Sequence, residues 1–311
     1  MAARPGGVHV RRALVLAALA SAFAACGGDG GEPAKDAAPP RAPSDRLVDL
    51  KKKPPLVNTL DIDPATNDFL LTTNRGFFRI SADGKTVTPV KGTIHDAGKT
   101  ATVGTFLELR ASGPNQLLGS GHPDKLGTLP NFLGLIRSDD GGKTWSAVAR
   151  MADADLHKII LRHGKLYAFD AVLSAMLISP DGGKTFEEAF TPRGLIIDFE
   201  VDPADENRIV ASTDTELFRT EDGGESWRPL APADGIRLAW PDAKTLYRAT
   251  KDGTFSVSTD GGTRWEDVGK VGGEPYEIHA VGPQRAFVAL SDGSIIETQD
   301  GGKTWRDRFR P

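Results

Sequence analysis

The chain has 311 residues, and the chemistry-capable side chains that stand out are three of its six histidines, scattered carboxylates, one Tyr-Glu pair and a single cysteine. His95, His122 and His157, with Asp170 nearby, offer imidazole and carboxylate donors of the kind transition metals take. No short His-x-His or His-x-x-x-His spacing joins them. Histidines bonded to backbone in polar surface loops are the plainer reading, and no metal or other cofactor is expected. Cleavage of a glycosidic bond needs two carboxyl groups about 5–9.5 Å apart. Asp61, Glu108, Asp170, Asp198 and Glu200 are candidates, but no spacing selects a pair. Tyr276 and Glu277 have the types of a tyrosine nucleophile and its helper, yet neighbours on a regular strand point to opposite faces. Arg237 and Asp124 complete the polar set.

The elements that must position these residues are written in a repeat. Ser138-Asp139-Asp140-Gly141-Gly142-Lys143-Thr144-Trp145 has close copies ending at Phe186, Trp227, Trp265 and Trp305, and a weaker one ending at Val87. From Val87 the steps between these end points are 58, 41, 41, 38 and 40 residues. A fixed step near 40 marks propeller-like repeats. Within each copy an Asp can accept backbone N–H bonds across a tight turn, while the Gly pair supplies left-handed dihedrals. The aromatic then starts the return strand, so Trp145, Trp227, Trp265 and Trp305 are expected to be buried. Each repeat contains four strand-like runs, clearest at 196–201, 208–212, 216–220 and 226–230. Six repeats over 56–311 predict an all-β, six-bladed β-propeller whose last repeat supplies all four of its own strands.

The pattern Ser-x-Asp-x-Gly-x-Thr-Trp, met in full at Ser138–Trp145 and nearly so in four other copies, resembles the Asp-box, or bacterial neuraminidase, repeat. The resemblance implies a structural role for Asp140, Asp181, Asp222, Asp260 and Asp300 and for the aromatics Trp145, Phe186, Trp227, Trp265 and Trp305. It puts each box on the hairpin between the third and fourth strands of a blade, away from the usual ligand face. That ligand face collects the loops entering each innermost strand and those joining strands two and three. It is expected to hold His95, His122, Asp124, His157, Asp170, Asp198, Arg237, Tyr276 and Glu277. The 58-residue step leaves an insertion around Ser120–Phe132, and long loops within tight repeats are often functional. Proteins of this kind are commonly labelled glycosyl hydrolases or exo-sialidase-like, while others serve as receptors and assembly factors, among them photosystem II stability factors. Classical sialidase chemistry is disfavoured, because Phe78-Arg79-Ile80-Ser81 lacks the proline of the sialidase motif and Arg79 recurs as Arg137 and Arg219.

Arg11-Arg12 followed by the apolar run Ala13–Ala25 suits a signal peptide and is too short to span a bilayer. Phe23-Ala24-Ala25-Cys26 resembles a lipobox, which implies cleavage after residue 25 and acylation of Cys26, the only cysteine. Residues 26–55, rich in Gly, Ala, Pro and charge, read as a tether. A net charge of -4 and a pI near 5.9 give no nucleic-acid signature. The sequence therefore leads to a monomeric propeller, lipid-anchored in the bacterial cell envelope on the extracytoplasmic side. It binds a glycan or protein on its loop face; glycoside hydrolysis is the alternative.

Overall fold

Short apolar–polar alternations bounded by Gly, Pro, Asn and Asp become strands throughout residues 55–125, 127–232 and 236–311, the part of the chain that the computed structural model describes. Residues 1–54, which include the expected signal peptide, Cys26 and nearly all of the expected tether, lie outside the described residues. The first repeat forms β1 (Val57–Ile62), β2 (Phe69–Thr73), β3 (Gly76–Ile80) and β4 (Val87–Val90). The second forms β5 (Thr93–Asp96), β6 (Lys99–Gly113), β7 (Gln116–Pro123), β8 (Leu135–Ser138) and β9 (Thr144–Ala149). Then come β10 (Leu156–Arg162), β11 (Lys165–Asp170), β12 (Ala175–Ser179) and β13 (Glu187–Ala189), followed by β14 (Ile196–Asp202), β15 (Asp205–Thr213), β16 (Glu216–Thr220) and β17 (Arg228–Pro232). The fifth and sixth repeats give β18 (Arg237–Asp242), β19 (Thr245–Ala249), β20 (Thr254–Ser258) and β21 (Glu266–Lys270), then β22 (Pro275–Ala280), β23 (Ala286–Leu290), β24 (Ile295–Thr298) and β25 (Arg306–Phe309).

Five of the repeats are four-stranded antiparallel blades, β1–β4, β10–β13, β14–β17, β18–β21 and β22–β25. The expectation of six such blades is corrected by the second repeat, whose five strands close on themselves. Its long strand β6 is bent by three register shifts. The first part of β6 pairs with β5, and β5 in turn runs parallel to β9, with Ile94 opposite both Ala101 and Trp145. The surplus residues of the 58-residue step thus form a hairpin laid against the blade's outer strand, as well as a loop. The first strands β1, β6, β10, β14, β18 and β22 neighbour one another in that order, and β22 returns to β1.

Apolar side chains from facing sheets fill the spaces between them. At the closing junction Leu60, Phe69 and Leu71 of the first repeat pack with Phe287, Ala289 and Phe309 of the last, and the Phe69 and Phe287 rings meet edge to face at 5.2 Å. The boxes stitch sheets together as well as turning them. In the second repeat Asp140 accepts the amides of Lys143 and Thr144 and the Thr144 hydroxyl, while Ser138 Oγ accepts the Gly142 amide. The bonds from the Thr or Ser amide and hydroxyl to Asp, and from the second Gly amide, recur around Asp181, Asp222 and Asp300. Gly142 has φ 93°, and a Cβ there would lie 2.6 Å from the Phe77 ring of the preceding sheet. Trp145 is buried, but Trp227, Trp265 and Trp305 are only half-buried, a correction to the sequence expectation. Their rings lie at the outer hairpin edge, where Arg248 stacks over Trp265 at 4.5 Å instead of a further sheet.

Candidate functional site

The loop-side end of the channel is built by a feature repeated around the ring. In β1, β6, β10, β14 and β22 the register with the next strand slips by one residue at the same height, leaving Asn58, Leu107, His157, Ile197 and Tyr276 out of step. Such bulges re-aim a side chain that regular pleating would turn away. Arg237 stands at the equivalent height on β18, where the neighbouring Leu238 amide donates to Asp198 at 2.9 Å. These six residues, with Lys158 and Asp198 beneath them, line one cavity of about 260 Å3. The Arg237 guanidinium lies 5.8 Å from the centre of the Tyr276 ring and donates to the Ile197 carbonyl at 3.0 Å, while its buried Nε has no partner.

Below the bulges, regular alternation aims every second residue inward and forms two charged tiers. The upper one holds Glu108, Lys158, Asp198 and Glu277, all buried. Lys158 Nζ lies 2.7 Å from Asp198 and 3.4 Å from Glu277. The lower one holds Asp61, Arg110, Glu200 and His279, and Arg110 reaches up to Glu277 at 2.8 Å and Glu108 at 2.9 Å. His279 Nδ1 is 3.0 Å from Asp61. Burial pushes the Glu277 carboxyl up, but Lys158 and Arg110 outweigh it and hold the group below its usual range. Burial dominates at Glu108, which is raised to about 8 despite Arg110. It also raises Glu200. A second cavity, of about 210 Å3, opens beneath this plug toward the box side and is walled by Asp61, Arg162, Glu200, Trp240 and His279.

The sequence candidates separate accordingly. His157, Asp198, Arg237 and Tyr276 meet at the loop-side cavity, and Glu277 lies directly beneath it. The bulge at Tyr276 brings both members of the Tyr-Glu pair to the channel, which the assumption of a regular strand did not allow. His122 and His157 converge on the half-buried Asp155 carboxylate, at 3.8 and 3.1 Å, and His122 also bonds the Asn131 carbonyl of the insertion at 2.7 Å. His95 is not on this face. It belongs to β5, opposite Ser146 of the outer strand, and bonds Thr100 at 2.9 Å, because the extra hairpin carries it outward. Among the described residues no group of three or more His, Cys, Asp and Glu side chains is arranged to hold a metal ion. Asp170 is a buried turn cap accepting the amides of Asp155 and Val172, and Asp124 is an exposed loop residue. Sequence reasoning missed Arg110, Lys158, His279 and Asp155. The signal for Arg110 and His279 was available: Glu108/Arg110 and Glu277/His279, like Asp198/Glu200, are charged pairs two residues apart on innermost strands.

A model of the BNR/Asp-box repeat matches residues 136–147, and one described as photosynthesis system II assembly factor YCF48 matches residues 189–310. The chain is similar to Asp-box repeat proteins over these segments. A segment of 98 residues is 34% identical to the photosystem II assembly lipoprotein Ycf48 of Synechococcus sp. (strain CC9902), covering 29% of each chain. A segment of 166 residues is 26% identical to the dispase autolysis-inducing protein of Streptomyces mobaraensis, covering 53% of this chain and 38% of that one. The Asp-box chain thus matches well under half the length of either relative. Among solved structures, a gluconolactonase from Xanthomonas campestris superposes with a TM-score of 0.56 at 14% identity, over 80% of this chain and 88% of that one. YCF48 bound to a D1 peptide does so with a TM-score of 0.52 at 16% identity, over 82% and 81%. These two likenesses speak for the propeller fold alone.

Proposed function

We propose that this Asp-box propeller is a binding protein of the bacterial cell envelope that holds a segment of a partner protein at the loop-side mouth of its channel. The observation that carries this reading is the contrast between the two levels of the channel. In the upper tier Asp198 and Glu277 are bound to Lys158 and Arg110, and Glu108 is bound to Arg110, so none of these carboxylates stands apart from a cation as a base for hydrolysis. Directly above, Asn58, His157, Arg237 and Tyr276 face an open cavity and offer donors, a cation and an aromatic face. That set suits recognition of a peptide's polar groups and one flat side chain. The partial matches to an assembly-factor family model and to a photosystem II assembly lipoprotein support a protein partner.

The same proposal includes a signal peptide over 1–25, a lipid on Cys26 and a tether from 27 to 55, which together would hold a monomeric propeller over 56–311 at an extracytoplasmic membrane surface. The test is a photo-crosslinking residue in place of Tyr276 in the full chain, irradiated in intact envelopes. One protein joined at defined positions, and lost when Arg237→Ala is added, is the expected result. Crosslinking indifferent to Arg237→Ala, or turnover of a glycan panel abolished by Asp198→Asn or Glu277→Gln, would overturn it.

A further inference from the structure

Turn tips are normally polar, and this ring carries its own internal comparison. The turns between second and third strands hold Asn74-Arg75, Asp214-Thr215, Lys251-Asp252-Gly253 and Asp292-Gly293 in four of the blades. In the blade β10–β13 the same turn is Ala171-Val172-Leu173, with Val172 50% and Leu173 42% exposed. Beside it runs the connection from β13 to β14, where Phe190 is 73% and Leu195 62% exposed. Four of the seven large apolar side chains exposed among the described residues therefore sit in two adjoining loops on one sector of the loop face. Both loops are pinned. Thr191 Oγ1 donates to the Ser174 carbonyl at 3.2 Å, and the Leu195 amide donates to Asp214 at 2.9 Å. Pro192 stiffens the segment between them. A rigid display of apolar side chains loses little freedom when it is covered.

The remaining question is what covers it, and the entry of the chain gives the answer. Pro55 reaches β1 on the same loop face, where it lies against the β23–β24 turn: a Cβ on Gly293 would be 3.0 Å from its ring. The proposed anchor at Cys26 is separated from that face by 29 residues (27–55), a chain length whose random-coil span would be roughly 30 Å. Such a tether keeps the bilayer at high effective concentration over the loop face, so even a weak apolar contact is occupied. We infer that Val172, Leu173, Phe190 and Leu195 dip into the interfacial layer of the membrane and seat the propeller with its loop face toward the bilayer. The partner taken at the channel mouth is then a membrane-proximal segment. Leu56, 56% exposed at the start of β1, adds a further apolar point near the tether. The inference rests on the anchored reading proposed above.

The experiment uses the full-length, lipid-modified protein in phosphatidylcholine vesicles. Because Cys26 is the only native cysteine, Val172→Cys, Leu195→Cys and, as a control on the box hairpin of the same blade, Lys184→Cys each add one free thiol for an environment-sensitive fluorophore. The expected result is a blue-shifted emission at 172 and 195, quenched several-fold by nitroxide lipids, with a water-like signal at 184. Vesicle flotation of the same sample separates the two readings. Protein that floats while the probes at 172 and 195 report water overturns the membrane contact and leaves the anchor standing. Protein that does not float removes the anchor and this inference together. Probes that shift only when envelope proteins are added assign the patch to a protein partner and likewise overturn it.

Discussion

Two buried glutamates show how one residue type is driven in opposite directions by its surroundings. Glu297 on β24 is fully buried and bound by Arg285, Arg306 and Arg308 at 2.6–2.8 Å. Burial pushes its carboxyl up, but the bonds from Arg285 and Arg306 win and bring it down to about 2. Folding therefore releases a proton that the unfolded chain would keep, and the stability this group adds above its ordinary range is lost as pH falls toward 2. Glu297→Gln leaves three arginines facing each other and is expected to destabilise the protein by about 2–3 kcal/mol at pH 7, read by urea unfolding, with the difference shrinking in acid. Glu108 behaves the other way. Its raised carboxyl keeps a proton when folded that the unfolded chain gives up, so its contribution to stability falls as pH rises from the ordinary carboxylate range to about 8. Glu108→Gln should gain melting temperature relative to the native protein as pH goes from 4 to 8; a constant difference would show that Glu108 is ionised throughout.

At the scale of the element, the Asp-box separates two adjacent glycines by what stands beside them. A Cβ on Gly182, at φ 77°, would meet open space, whereas one on Gly183, at φ 92°, would lie 2.1 Å from Leu135 on β8 of the preceding sheet. Gly182→Ala should cost about 1 kcal/mol from the left-handed dihedral alone. Gly183→Ala adds overpacking and should cost about 2–4 kcal/mol, and equal losses in chemical denaturation would refute a packing role for the second glycine. The box was legible in the sequence because its chemistry is local: Asp, the Gly pair and Thr or Ser meet within one turn, and the strands around 216–220 fell where the repeat put them. The second repeat was not, because β5 lies against β9 across a separation that no local pattern encodes. The bulges were also hidden, since a slip of one residue at Tyr276 or His157 leaves no mark in the type of the residue that slips. Charge on alternate residues of β6, β14 and β22 was visible, but it reads as a charged channel only once those strands are known to be innermost.

The whole ring closes through a junction between its first and last repeats. Arg308 on β25 donates to the Ala82 carbonyl in the first repeat's hairpin, and Gly84 lies so close to the Arg308 backbone that a Cβ could not be accommodated. Removing residues 306–311 takes away β25 and Phe309 and uncovers the Phe69–Phe287 contact. Such a truncation is expected to abolish a single cooperative melting transition, whereas loss of the exposed Lys184 side chain by Lys184→Ala should leave it intact. The junction also sets a clock. Ala82 and Arg308 are 226 positions apart, and a chain exported N-terminus first, as proposed for this one, delivers β25 after every other strand. Until then the outward edge of the first blade has no neighbour, and the ring cannot lock while any of it is still in transit. If the proposed export holds, closure serves as a receipt: the binding mouth, which draws on strands from both ends of the chain, would become complete only on the far side of the membrane.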